Sequence, residues 1–287
     1  MVARDISVLI PSRGRPDKLA RCIASLGCHP NVEIIVGLDT DDATSPEAAR
    51  ALRGQFGIEP MVGPRAKTLG ALVNDLAARS AGKYLFFLGD DNVLGSPDWP
   101  ARILRAARAL PRRYGVLYPR CMLHPGFATL PIISRATYRT LGYYMVPYFP
   151  FWFIDTWWDE IGELMGAKIE VDLDALQVDG KGETHGLIDL KFWADFFEAT
   201  RPMRIKDATT LAREAYSRPQ AQSVIADLPY RASVCARRTA HLTTPEFLAY
   251  WEQRADHPPS ARYREAKAEA EAMLTELRAA SEGKVLA

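Results

Sequence analysis

The chain has 287 residues, 48% hydrophobic, with a formal net charge of +1 at pH 7; this suffices for one large domain with a full core, or a domain with an appendage. No continuous apolar stretch reaches membrane-spanning length, and the N-terminus lacks a basic region followed by an apolar core and cleavage site. A cytoplasmic protein without a membrane span is therefore expected. The four cysteines, Cys22, Cys28, Cys121 and Cys235, have no CxxC or Cys/His ligand spacing, which argues against a zinc site and a disulfide framework.

Residues 6–10 (ISVLI) predict a short buried strand, closed by PSRGRP at 11–16. A helix follows over 18–26, with Leu19, Ile23 and Leu26 on one face. Residues 32–38 (VEIIVGL) predict a second strand, and Asp39, Asp41 and Asp42 stand at its end. Ser45-Pro46-Glu47 has the cap-then-proline signature of a helix start. A third strand near 58–62 leads to a helix over 68–80. The apolar run at 84–88 (YLFFL) then delivers Gly89-Asp90-Asp91-Asn92. Strands alternating with helices at this spacing predict an α/β fold with a doubly wound, mostly parallel sheet.

Charged groups thus follow three strands: Arg13 and Arg15, then Asp39, Asp41 and Asp42, then Asp90 and Asp91. Right-handed crossovers bring those strand ends to one edge, where open α/β sheets bind ligands. Adjacent aspartates repel each other, and a divalent metal held by hard oxygens is the simplest reason for the pair; a turn is the plain alternative. The convergence favours a nucleotide site.

The second half is split by charge. Residues 99–154 hold eight arginines and no acid, and residues 155–198 hold twelve acids against three lysines. Either the blocks face each other, or the basic one attracts a polyanion. A helix from Asp98 to about residue 110 puts Arg102, Arg105, Arg108 and Arg112 on one face, for which a solvated surface is the plain reading. Residues 114–118 and 129–133 read as strands, and 143–153 is aromatic and proline-punctuated. Asp155 suits the N-cap of a helix carrying Trp158, Ile161 and Met165. Trp152, Trp157 and Trp158 offer a stacking platform or core packing. A strand at 169–176, a polar loop at 179–185 ending in His185, and a helix over 187–199 follow. A terminal helix over 261–280 packs on the domain or projects to a partner. The expected organisation is residues 1–200 as one domain, with halves at 1–98 and 99–200, and residues 201–287 as a mainly helical extension.

PSRGRP, LDTDD, KTLGALVNDL, YLFFLGDDN and IDTWWDEIG, in that order over residues 6–197, resemble the GT-A glycosyltransferases. The likeness is to the family-2-like, small soluble type of bacteriophage and bacterial genomes. The resemblance implies a Rossmann-like GT-A fold, a nucleotide diphosphate sugar donor (a UDP-sugar favoured), and Mn2+ or Mg2+. Carried over residue by residue, Pro11 and Arg13 line the nucleotide pocket, and Asp39 bonds the base with Asp41 nearby. Lys67 contacts the diphosphate, with Arg65 its rival, and Asn74 supports the site. Asp90 lies near the ribose and Asp91 on the metal. Asp155 is the catalytic carboxylate, with Asp159 and Glu160 as alternatives. Gly89 departs from the commoner aspartate. The histidine that many relatives carry after the next strand has no counterpart at 174–177, so His185 is a substitute metal ligand.

A single base opposite the departing diphosphate implies displacement with inversion. Aromatic residues beside the arginine block suit a nucleic-acid or other polyanionic acceptor, so a hydroxymethylated base in phage DNA is one expected acceptor. Polysaccharide, protein and small-molecule acceptors are the alternatives. A nucleotidyltransferase would carry a glycine-rich loop after the first strand, where PSRGRP has one glycine. A non-catalytic nucleotide-sugar or nucleic-acid binder would have no need of Asp155.

Overall fold

The computed structural model describes residues 4–122, 124–178, 189–253 and 260–285. In its first half β1 (Ile6–Ser12) leads to α1 (Pro16–Leu26), β2 (Val32–Asp39) to α2 (Ser45–Ala51), and β3 (Met61–Gly63) to α3 (Leu69–Arg79), before β4 (Tyr84–Phe87). Ile6, Val8, Leu9 and Ile10 of β1 and Leu85 and Phe86 of β4 are fully buried; such unbroken apolar runs mark strands covered on both faces by helices. Thr68 caps α3, its hydroxyl accepting from Ala71 N, and so satisfies one of the free N–H groups of the first turn.

The chain continues through β5 (Asn92–Leu94), α4 (Trp99–Ala106), β6 (Val116–Arg120), β7 (Ile132–Ser134), α5 (Arg135–Leu141), α6 (Ile154–Met165) and β8 (Lys168–Gln177). The strands form one sheet in the order β3-β2-β1-β4-β7-β6-β8-β5. The first four positions are parallel, β4 meets β7 antiparallel, and β8 lies parallel to β6. From β1 the chain moves to β2 on one side, and it reaches β4 on the other. The strand order therefore reverses between β1 and β4, and ligands of open α/β sheets sit outside the carboxyl ends at such a reversal.

The helix after Asp98 is shorter than its arginine spacing suggests. α4 ends at Ala106, two 3-10 turns follow, and Arg112 and Arg113 take left-handed φ values of 47° and 72°. Pro111 is the cause: the residue before a proline is driven from the helical region, and Leu110 is extended at ψ 132°. Arg112 thus leaves the helix that carries Arg102 and Arg105.

Beyond β8 every described element is helical: α7 (Leu190–Ala199), α8 (Arg201–Ala215), α9 (Arg218–Thr239), α10 (Pro245–Glu252) and α11 (Ala261–Val285). α8 and α9 pack on α6, and α11 buries Tyr263, Ala266, Ala270 and Leu274, a stripe at helical spacing. Trp193 Nε1 of α7 donates to Tyr263 Oη at 2.8 Å, so α11 packs on the body. Among the described residues no helix is long and apolar enough to cross a membrane.

Candidate functional site

The reversal between β1 and β4 is where the carboxylates gather. Ser12, the last residue of β1, donates its hydroxyl to Asp90 Oδ2 at 2.7 Å across the gap. Arg15 Nη2 stands 2.5 Å from Asp90 Oδ1, and its Nη1 3.5 Å from Asp91 Oδ2. Asp90 is fully buried, and its Oδ1 accepts no well-aligned hydrogen bond. Burial pushes its carboxyl up, against the pull of Arg15 and Ser12. Asp91 is held from two further sides, by Asn92 Nδ2 at 3.0 Å and Gln177 Nε2 at 3.1 Å. Gln177 enters because β5 and β8 pair it with Asn92, a contact that residues 174–177 gave no sign of in sequence. Gly89 accounts for the missing third carboxylate. A Cβ there would come within 2.7 Å of Asn92 Nδ2 and 2.8 Å of Asp91 Oδ1, so a side chain at this position requires those two side-chain tips to move aside. Beneath it, the buried Cys22 thiol donates to Gly89 O at 3.6 Å.

One strand away, Arg13 Nη1 joins Asp39 Oδ2 (3.1 Å) and Asp41 Oδ1 (2.6 Å). Asp39 is buried, which raises its carboxyl despite Arg13. On Asp41 burial is the largest single effect and acts upward, but Arg13, Arg65 and Arg262 together outweigh it, and the carboxyl is lowered. Asp42 instead secures the loop, accepting from Gly14 N at 2.7 Å and Thr44 N at 3.0 Å. Pro11 lies in β1, half-buried and in register with Gly37. Lys67 pairs with Glu269 of α11. Asn74 bonds the backbone of Tyr144 and Met145. Its Nδ2 donates to Met145 O at 2.7 Å, and its Oδ1 accepts from Tyr144 N (2.8 Å) and Met145 N (2.9 Å). Its amide is consumed in tying α3 to the aromatic stretch before α6.

That stretch sets the position of Asp155. Asp155 is not an N-cap: Phe153 takes that position with a left-handed φ of 70°, and Asp155 falls in the first turn of α6. Phe153 is held there by stacking on Phe197 (5.2 Å between centroids) and by Phe149. Thr156 N and Oγ1 donate to Asp155 Oδ1 at 2.7 and 3.3 Å, and Oδ2 takes neither bond. Burial pushes the Asp155 carboxyl up to about 6, against the lowering effect of the Thr156 bonds.

Asp159, the alternative base, is already committed. Lys168 Nζ (2.8 Å) and Ala128 N (3.0 Å) meet its Oδ1, and Arg238 Nη2 meets its Oδ2 (3.2 Å). Glu160 is likewise enclosed by Arg201 and Arg204. Both carboxylates are buried and paired with cations of the fold. Trp157 and Trp158 are buried, donating to Tyr143 Oη and Tyr144 O, so of the three tryptophans only Trp152 remains half-buried, edge-on to Trp251 at 5.4 Å. The opposed charge blocks face each other in part: Arg102 pairs with Asp98 and Asp172, and Arg120 with Asp172 and Asp174. His185 lies outside the described residues.

The Asp90–Asp91 pair fits a divalent cation. Asp90 Oδ1 is a buried oxygen that meets the Arg15 guanidinium at 2.5 Å without a well-aligned hydrogen bond, and Asp91 adds hard oxygens beside it. No cluster of three or more His, Cys, Asp or Glu is present among the described residues. Mg2+ and its analogues need no such cluster, being held by one or two carboxylates and completed by substrate phosphates.

Residues 7–123 match the family model described as Glycosyl transferase family 2. The fold is similar to that of S. aureus TarS 1-349 in complex with UDP-GlcNAc, at 12% identity and a TM-score of 0.56, covering 93% of this chain and 91% of that one. It is also similar to the mannosyltransferase PcManGT from Pyrobaculum calidifontis in complex with GDP-Man and Mn2+, at 12% identity and a TM-score of 0.51, covering 97% and 87%. No curated protein matches the sequence. The architecture is the GT-A fold.

Proposed function

We propose that this chain, a GT-A glycosyltransferase, moves a sugar from a nucleoside diphosphate sugar to an acceptor hydroxyl by one displacement with inversion. The observation that carries the reading is the meeting of Ser12, Arg15, Asp90 and Asp91 at the sheet reversal, with Asp39 and Arg13 one strand away. Asp39 accepts from the base, and Arg13 holds its carboxylate in place from the other side. Asp155 Oδ2 takes the acceptor proton, and the freed oxygen attacks the anomeric carbon. The bond from that carbon to the diphosphate oxygen breaks, and the nucleoside diphosphate leaves with the electron pair. Arg15 and Lys67 face the charge that develops there, where fixed cations lower the barrier most. A divalent cation on Asp91, when bound, adds neutralisation of the same charge.

Two features support Asp155 as the base. Its ordinary carboxylate basicity is raised by burial to about 6, closer to the operating pH, where general bases are most effective. One oxygen is left outside the Thr156 bonds. The acceptor reading changes with the charge map. Arg102 and Arg120, part of the block that suggested a polyanion, already have carboxylate partners on β8, so a DNA acceptor is not favoured over a polysaccharide, protein or small molecule.

TarS and PcManGT carry UDP-GlcNAc and GDP-Man, which makes uridine and guanosine diphosphates the first probes. Calorimetry with and without manganese, on the wild type and Asp91→Ala, tests the donor site. The expected result is manganese-dependent binding of one nucleotide, abolished in the variant. A folded wild-type protein that binds neither, nor cytidine or thymidine diphosphate, overturns the proposal.

A further inference from the structure

Lys67, which the donor reading places on the diphosphate, is held by a carboxylate from the opposite end of the sequence. Glu269 of α11 is its ion-pair partner, 202 residues away. Two turns earlier on the same helix, Arg262 Nη1 donates to Ala66 O at 3.4 Å, next to Arg65 and Lys67 in the chain. The field of Arg262 reaches Asp41 and helps Arg13 and Arg65 hold that carboxyl low. Tyr263 and Lys267 moor the helix in between, through Trp193 Nε1 at 2.8 Å and Asp189 Oδ2 at 2.9 Å. Helix α11 therefore runs along the donor side of the cleft, although no motif in residues 201–287 announces a role there.

We propose that Glu269 is a resident stand-in for the donor's diphosphate on Lys67, so that α11 sets donor affinity from outside the nucleotide half. The proposal rests on the donor reading of Lys67 given above. The Glu269 side chain is 70% exposed and that of Lys67 35%, and ion pairs this open to solvent are easily exchanged. A diphosphate offers more charge and more acceptor oxygens than one carboxylate, and it displaces Glu269 at little cost. While the carboxylate holds the lysine, only the released fraction of the protein is ready for donor, and the apparent affinity falls by that fraction. Arg262 works the other way, adding a cation at the Asp41 edge that favours the anionic ligand.

Calorimetry with uridine and guanosine diphosphates, in manganese, on the full chain separates the outcomes. Glu269→Gln is expected to bind the preferred nucleotide about 3- to 10-fold tighter than wild type, and Arg262→Ala to bind it weaker by a similar factor. In a Lys67→Ala background the Glu269→Gln gain should vanish, because the two act through one contact. Melting temperatures identify any variant that fails to fold, and a merely structural ion pair gives no gain in affinity when broken. Unchanged or weaker binding by Glu269→Gln, or a gain that survives in Lys67→Ala, overturns the stand-in role while leaving the donor site intact. A Lys67→Ala protein that binds like wild type overturns the donor reading of Lys67, and this proposal with it.

Discussion

Asp155 is subject to two demands that burial sets against each other. A carboxyl raised from 3.8 to about 6 is a better proton acceptor, but the fold pays for holding it charged at neutral pH. As a base it must be ionised, so kcat/KM should fall about tenfold per pH unit below pH 6 and level off above; a profile flat down to pH 4.5 would remove Asp155 from the role. The stability effect has the opposite sign. Because the folded-state pKa is the higher one, the carboxyl favours folding at low pH, and that contribution is lost as pH rises through 6. Asp155→Asn should therefore lose about 10²- to 10⁴-fold in turnover while gaining up to about 2 kcal/mol of stability at pH 7.5, read by urea denaturation. Intact donor binding by this variant would separate a base from a donor ligand, and full turnover would leave only a non-catalytic role for the carboxylate.

At the scale of elements, α3 is the strut that carries the aromatic stretch and hence the start of α6. Three backbone groups of Tyr144 and Met145 depend on Asn74, and Thr68 and Leu69 add bonds to Pro147 O and Pro150 O. Gly70 allows the approach, since a Cβ there would lie 2.4 Å from Val146 O. Asn74→Ala should cost about 2–4 kcal/mol by leaving buried polar groups unpaired, and should lower kcat more than donor affinity; Gly70→Ala should act in the same direction. The reverse pattern, weaker donor with unchanged kcat, would return Asn74 to the nucleotide pocket. These relations also mark where sequence reading stopped. The strands, their acidic ends and the order PSRGRP to GDDN were legible because strand runs and turn chemistry are local. Phe153 was not, because its left-handed turn is fixed by Phe149 and Phe197, the latter 44 positions on. Nor was the full employment of Asp159, whose partners Lys168 and Arg238 come from two other elements.

For the whole molecule, the helical extension and α6 share one buried charge network. Glu160 and Arg204, 2% and 0% exposed, meet at 3.1 Å, and the Arg204 guanidinium lies 3.7 Å from the Phe197 ring centroid and 5.0 Å from that of Trp157. Arg201 joins the same carboxylate, and its other contacts lead to Glu198 and Thr239. Removing one member strands a buried charge, so Glu160→Ala should cost about 3–5 kcal/mol. Because α6 carries Asp155, the extension should not unfold before the site. Urea titrations followed by the fluorescence of Trp251 on α10, the other tryptophans being replaced by phenylalanine, and by loss of nucleotide binding should superimpose. Two separated transitions would show that the extension is an independent unit.

The Cys22 thiol, packed under the Gly89 turn with its carbonyl as partner, gives the donor cleft a built-in chemical clock. Burial and the neighbouring Asp90 and Asp91 keep this thiol protonated, and reaction with an alkylating reagent needs a thiolate and an opening. Cys28 is exposed and Cys121 partly so, whereas Cys22 and Cys235 are buried. Labelling followed by mass spectrometry should therefore run in two phases, with Cys22 in the slow one. Its rate counts how often the turn lifts from the sheet, and a ligand that clamps the turn should lengthen that interval without touching the sulfur.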